Sequence, residues 1–398
     1  MGHLEYKNYI VLNFAYGTGP YLRTTDLAIA FNKELAQRGQ ARLGIIVPWV
    51  YGDKQKKVML EEFAGHEKKY PGEILLDKKL GAILKSIFYG DSTYEAALKK
   101  WVKTARVISA KAKKYLAGNL ELETLAGERK TAKGGDIVVE LARSPRLRFD
   151  TAPAYFTSFC YLGEVLEKAL GEKRGAIAAK KELLKAGAQL ADWAEDNYKI
   201  HCLSYPATFS ALDFSFNNDH RRRYCDEIIV PPIGPVPKLN NEKIKFGIFV
   251  TITGIPGLER LYAEARALGI ALYCNDVKSV KGSIRALPHL ISNNNIIFQF
   301  ARAGWSSIWL SMIVSTPLVV PAFDSKDDPE IYFNNQAVEA LGIGIVYHGE
   351  PLKLLIEKAG AIRRKQAALK ERIMKKWGTL DGTAYCAKLF VDDFLSEL

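Results

Sequence analysis

FARAGWSSIWLSMIVSTPLVVPAFDSKDDPEIYFNNQ, residues Phe300 to Gln336, closes one apolar run, carries a helical pattern, opens a second apolar run at a proline and ends in a cluster of charge. Small and polar residues at the junction of run and helix, with Gly304 allowing close approach to the backbone, belong at the carboxyl end of a strand in an open parallel sheet. The alternation continues on both sides. KFGIFVTITG reads as a strand into a Gly loop, LERLYAEARALG as a helix, and IALYCND and NNIIFQFA as strands; LGIGIVYHG is a last strand before basic C-terminal helices.

The amino-terminal half repeats the plan. YIVLNFAYG stops at Gly-Thr-Gly-Pro, TTDLAIAFNKELAQRG has helical spacing with Thr24 or Thr25 as its cap and Gly39 as its stop, and ARLGIIVPWVYG completes a βαβ unit. DIVVELA, APAYFTSFCYLG and NYKIHCLSYPATFSA read as further strands, the last two separated by a helical pattern over residues 164–196. The proline-rich IIVPPIGPVPKLNNEKIKF, Ile228 to Phe246, marks a linker. The expected fold is α/β, two facing Rossmann-like doubly wound domains with a cleft between them. Residues 1–232 form an N-terminal domain with a helical insertion, 243–378 a C-terminal domain, and 379–398 a C-terminal helix packing back on the N-terminal domain.

The 398 residues suit two domains, and 48% hydrophobic with 25% charged residues is the composition of a folded soluble protein. A net charge of +12 points to an anionic partner: nucleic acid, a phosphorylated small molecule or an acidic membrane. Nucleic acid is disfavoured, because the run His220-Arg221-Arg222-Arg223 sits beside Asp219 and Asp226 without a recognition helix or aromatic pattern. The five cysteines form no CxxC pair, and the Asp324 to Asp328 cluster is interrupted by Lys326, so no metal site is expected. The N-terminus lacks a basic segment followed by a long apolar one, and the expectation is a cytoplasmic protein. The basic stretch 78–114 reads as a solvated helix face with Leu98, Trp101, Val102, Ala105 and Ile108 inward. Its alternative is peripheral contact with an anionic membrane on the acceptor side.

The run from Arg302 to Asn334 resembles the donor-site signature of GT-B-type glycosyltransferases, both the peptidoglycan-lipid N-acetylglucosaminyltransferase branch and the UDP-glycosyltransferases. Arg302, Gly304, Trp305, Ser307, Pro317, Pro321, Asp324 and Asn334 occupy the signature's places in order. The loop Gly17-Thr18-Gly19-Pro20 is similar to the Gly-Thr-Gly-Gly-His loop of the lipid-linked branch. The resemblance implies transfer of a hexosyl or N-acetylhexosaminyl group from a nucleotide-sugar, used as co-substrate with no further cofactor, to a small-molecule, lipid-linked or glycan acceptor. Two departures stand out: Leu310 where those families place a ribose-binding Glu, and Tyr21 in place of the loop His. They keep open a nucleotide-sugar epimerase or hydrolase on the same fold, or a catalytically degenerate protein that binds a ligand or partner.

Inverting transfer needs a base for the acceptor proton and a positive or dipolar patch for the leaving diphosphate. For the donor the candidates are Thr253, Gly254, Gly257, Arg302, Gly304, Ser306, Ser307, Asp324, Lys326 and Asn334; Ser306 and Ser307 read equally as helix caps. Gly17, Thr18, Gly19 and Tyr21 form the acceptor-side loop. Asp26 and His201 are the base candidates, with Asp150 behind them, set against plain readings as a first-turn carboxylate, a strand histidine and a turn residue.

Overall fold

The computed structural model describes residues 6–87, 93–173, 175–209, 223–224, 226–251 and 257–397. The chain forms two compact units: Met1–Leu203 with Arg222–Val230 and Thr383–Leu398, and Ser204–Arg221 with Pro231–Gly382.

The first unit is built on β1 (Tyr9–Phe14), β2 (Gly44–Pro48), β3 (Ile74–Asp77), β4 (Asn119–Thr124), β5 (Arg129–Lys133), β6 (Ile137–Arg143), β7 (Ala154–Ser158), β8 (Ile200–Ser204) and β9 (Glu227–Val230). Their order is β5-β4-β3-β2-β1-β6-β7-β8-β9. From β3 to β8 all pairs are parallel, with Leu12 opposite Leu141 and Phe14 opposite Arg143, while β4 and β5 add an antiparallel hairpin at the edge. Every residue of β1, β2, β3 and β7 is buried, as expected of parallel strands covered by helices on both faces. The hairpin strand β4 instead alternates, burying Leu120, Leu122 and Thr124.

The helix Thr18–Gln37 joins β1 to β2. It starts at Thr18, before either threonine read as its cap, because Thr24 and Thr25 do not cap it. Their hydroxyls donate back to the carbonyls of Pro20 (2.7 Å) and Tyr21 (2.8 Å) within the helix. Gly39 follows its end in the left-handed region, at φ 73°. The helix Tyr94–Leu116 buries Leu98, Trp101, Ala105 and Ile108, leaves Val102 half-buried, and exposes Lys99, Lys100, Lys103, Lys111 and Lys113. Among the described residues no helix is long and apolar enough to cross a membrane. The C-terminal helix Gly382–Ser396 is held by Phe390, stacked on Tyr155 at 4.8 Å, and by Asp393, which accepts from the Tyr155 hydroxyl at 2.8 Å.

The second unit contains β10 (Gly247–Val250), β11 (Ala271–Cys274), β12 (Ile284–Arg285), β13 (Ile296–Phe300), β14 (Leu318–Pro321) and β15 (Gly344–Tyr347). They are all parallel, in the order β12-β11-β10-β13-β14-β15. Ile248, Val250, Phe298, Phe300 and Val319 pack against Leu261 and Ala265 of the helix Glu259–Ala267 and Leu352 and Leu355 of the helix Leu352–Trp377. In both sheets the order reverses beside the first strand, at β1/β6 and at β10/β13. These are the points where loop amides and helix ends are exposed to a ligand.

Residues 204–209 belong to the second unit, although they fall inside the span 1–232 assigned from sequence to one domain. Phe209 packs on Phe333 at 5.3 Å and Thr208 bonds Asn334, contacts that no local pattern encodes.

Gly81, in the helix Lys78–Lys85, lies against the backbone that leaves β2; a Cβ there would sit 2.2 Å from the Trp49 carbonyl oxygen. Backbone cannot yield as a side chain can, so Gly81→Ala is expected to destabilise the protein by about 2–3 kcal/mol in urea unfolding. An unchanged midpoint would contradict this helix placement.

Candidate functional site

At the β10/β13 switch point the Thr251 N–H donates to the Phe300 carbonyl (2.8 Å), and buried Gln299 donates through Nε2 to the Thr251 hydroxyl (2.7 Å). Beyond Phe300 the chain alternates: Ala301 buried, Arg302 exposed, Ala303 buried, Gly304 half-buried, Trp305 buried. Gly304 precedes the helix Trp305–Val314 with φ −89° and ψ 138°, a conformation open to any residue. Among the described residues a Cβ built there meets nothing within 4 Å, so they leave space over this turn. The N-cap residue, Gly304, has no side chain to cap the helix, and Ser306 and Ser307 stand half-exposed in its first turn. The reading of these serines as caps is thus set aside.

Asn334 is placed differently from its assignment to the donor. It is fully buried in the helix Pro329–Leu341, where its Nδ2 donates to the Ala303 carbonyl (2.7 Å). Its Oδ1 accepts from the Trp305 indole (2.9 Å) and the Thr208 hydroxyl (2.6 Å). Burial on these partners removes it from ligand contact and makes it a support for the turn.

The loop after β14 carries the charge. Arg302 is ion-paired with Asp327, whose Oδ1 also accepts the Asp328 N–H at 2.7 Å. Asp328 caps its helix by accepting the Glu330 N–H (3.0 Å), and exposed Asp324 accepts the Lys326 N–H (3.0 Å). The Lys326 side chain is exposed. Leu310 is buried within the helix Trp305–Val314, an apolar core residue where the resemblance implies a ribose carboxylate. Gly257, at φ 90°, donates its N–H to Glu259 (2.9 Å), and a Cβ on it would approach Pro321 to 3.8 Å, so this loop end borders β14. Thr253 and Gly254 lie outside the described residues.

At the β1/β6 switch point Gly17, with φ 118°, donates its N–H to the Tyr51 hydroxyl at 2.7 Å and precedes the helix Thr18–Gln37. Thr18, Gly19 and Tyr21 therefore belong to helical turns, not to a loop. The Tyr21 ring is buried 5.7 Å from that of Tyr51, and burial pushes its phenol up to about 12, which removes it as a base near neutrality.

Both base candidates are corrected as well. Asp26 is paired with Arg23 (2.5 Å), which also holds Glu62 (2.7 Å), so its carboxylate is tied into a helix-surface ion network. His201 lies in an aromatic core, stacked on Tyr224 at 4.6 Å with Phe156 at 5.2 Å. It is 1% exposed and burial pushes its imidazole down to about 4. It sits near the amino end of β8, away from the carboxyl edge. Asp150 holds a turn at φ 51°, accepting from Asn197 at 2.7 Å. Arg223, the one described member of the arginine run, is paired with Glu167 and Asp192 and so is committed within its own unit; His220, Arg221 and Arg222 lie outside the described residues.

Glu140 and Glu195 are among the buried acids that the sequence reading does not single out. Glu140 on β6 accepts from Asn13 at 2.9 Å, and Asn13 also donates to the Leu147 carbonyl at 2.8 Å. Glu195 accepts the N–H groups of Leu162 (2.8 Å) and Gly163 (3.2 Å). The lone acid inside the apolar run IVVELA was the available signal for Glu140.

No family model matches the sequence, and no curated protein matches it. Solved structures do. TcCGT1 in complex with UDP superposes with a TM-score of 0.63 at 10% identity, over 98% of this chain and 100% of that one. A UDP-glucosyltransferase from Polygonum tinctorium capable of glucosylating indoxyl gives 0.58 at 12% identity, over 98% and 99%. A Medicago truncatula glycosyltransferase complexed with UDP-glucose gives 0.56 at 14% identity, over 98% of each chain. The fold is that of these glycosyltransferases, GT-B.

Burial pushes Glu140 and Glu195 each up to about 7 from an ordinary 4.5. A raised carboxyl pKa contributes stability that is fully present below the unfolded value and is lost as pH rises through the folded one. The protein is therefore expected to lose stability between about pH 5 and 8, by about 2–3 kcal/mol for each group. Glu140→Gln should flatten its share of that slope in urea unfolding; an unaltered slope would show that Glu140 is not the titrating group.

Proposed function

We propose that this protein is a glycosyltransferase whose nucleotide-sugar donor binds the carboxyl edge of the second sheet, over Gly304 and between Arg302, Lys326 and the first turn of the helix Trp305–Val314. The observation that carries the reading is the space the described residues leave above Gly304, beside a helix N-terminus whose N-cap is this glycine, in a chain that shares its fold end to end with UDP-bound glycosyltransferases. The helix N–H groups and the Arg302 guanidinium supply the partial and full positive charge that a departing diphosphate needs. Ser306 and Ser307 add hydroxyl donors within reach of the same turn. Asp324, exposed on the adjoining loop, is the carboxylate placed to take over hydroxyl contacts that Leu310 cannot make.

The transferred group is a hexosyl or N-acetylhexosaminyl unit, and uridine is the first base to test, because two of the structures compared above hold UDP or UDP-glucose. The acceptor, a small molecule, lipid-linked sugar or glycan, is assigned to the carboxyl edge of the first sheet. There Gly17 brings backbone to the surface beside the exposed ring of Tyr16 and the half-buried ring of Tyr51.

The test is thermal unfolding with UDP, UDP-glucose and UDP-N-acetylglucosamine, followed by slow donor hydrolysis without acceptor. A ligand at 100 times its Kd stabilises the folded form by about 2.7 kcal/mol, enough to raise Tm measurably. Because the Gly304 backbone suits any residue, Gly304→Val should fold normally and lose most UDP affinity as its side chain fills the open space. Undiminished UDP binding by the folded variant would refute this placement of the donor.

A further inference from the structure

The donor edge holds more negative charge than positive. Arg302 and Lys326 stand beside Asp324, Asp327, Asp328 and Glu330, an arrangement that by itself disfavours a diphosphate. Three of the four acids are engaged elsewhere: Asp328 with the Glu330 N–H, Asp324 with the Lys326 N–H, and Glu330 with the Asn334 amide at 3.2 Å. Asp327 alone of the four is ion-paired with Arg302, the cation nearest the turn at Gly304.

We propose that Asp327 is an internal competitor for the donor diphosphate, holding the Arg302 guanidinium until a ligand carrying at least two phosphate charges displaces it. The inference rests on the donor reading given above. Its geometry suits exchange. The side chains of Arg302 and Asp327 are 48% and 39% exposed, so water screens the pair and little is lost on parting. A diphosphate offers more charge and more acceptor oxygens to the guanidinium fork than one carboxylate does. Asp327 is anchored independently, through the Asp328 N–H at 2.7 Å, so the loop keeps its shape when Arg302 leaves. The consequence is selectivity: ligands without a diphosphate gain nothing from Arg302, and a nucleoside diphosphate gains only the difference between its own contact and that of Asp327.

The test is a calorimetric double-mutant cycle on the full chain with UDP, uridine and inorganic pyrophosphate as probes. An Asn at 327 can still accept the Asp328 N–H, so Asp327→Asn preserves the turn while removing the competitor. It should tighten UDP and pyrophosphate about two- to fivefold and leave uridine unchanged. Arg302→Ala should weaken UDP, and adding Asp327→Asn to it should restore nothing. Unchanged or weaker UDP binding by Asp327→Asn overturns the proposal and makes Asp327 a support for Arg302. An equal gain in the Arg302→Ala background also overturns it, because the effect would then be general charge removal. If the parent binds neither UDP nor pyrophosphate, the donor reading fails together with the inference, whereas UDP binding insensitive to Asp327→Asn sinks the inference alone.

Discussion

Asn334 uses both ends of its amide inside the second unit: Nδ2 on the Ala303 carbonyl at 2.7 Å, Oδ1 on the Trp305 indole at 2.9 Å and the Thr208 hydroxyl at 2.6 Å. All of these groups are buried, and leaving any one without a partner costs about 1–3 kcal/mol. The amide thereby fixes the few residues between β13 and the next helix. With Ala303 and Trp305 drawn inward, Arg302 before them and Gly304 between them are turned outward. A buried hydrogen-bond network thus sets which residues face a ligand, and a rigid turn is what a diphosphate site requires.

The first unit solves the equivalent turn with a single aromatic side chain. Tyr51, beyond the end of β2, accepts the Gly17 N–H and packs between the rings of Tyr16 and Tyr21, at 5.9 and 5.7 Å. Gly17 at φ 118° is a conformation that a side chain would strain, and it lets the helix begin directly at Thr18. In both units the site follows from a parallel sheet whose strand order reverses beside its first strand, so that two loops part and expose backbone.

Much of this was legible in the sequence because it is local. Fully buried strands show as continuous apolar runs, and the run through β13, the helix after it and β14 could be placed from residues 296–321 alone. Glycine and proline marked the helix stop at Gly39 and the break after β9. What escaped depends on contacts distant in sequence. Nothing around Asn334 announces that Thr208 and Trp305 converge on it, and nothing around His201 announces that Phe156 and Tyr224 enclose it, so from sequence one reads as a ligand residue and the other as a base. Thr24 and Thr25 looked like caps because hydroxyls favour caps; inside a helix the same hydroxyls can bond back to the preceding turn. The β4–β5 hairpin was overlooked because its strands are short, charged and half-solvated.

The central claim is that a nucleotide occupies the carboxyl edge of the second sheet. Hydrogen–deuterium exchange of the full chain with and without saturating UDP tests it most directly, since bound phosphate must engage the amides of the turn itself. The account predicts slowed exchange across residues 301–309 and 322–328. Protection confined to other segments, with UDP demonstrably bound, would contradict it.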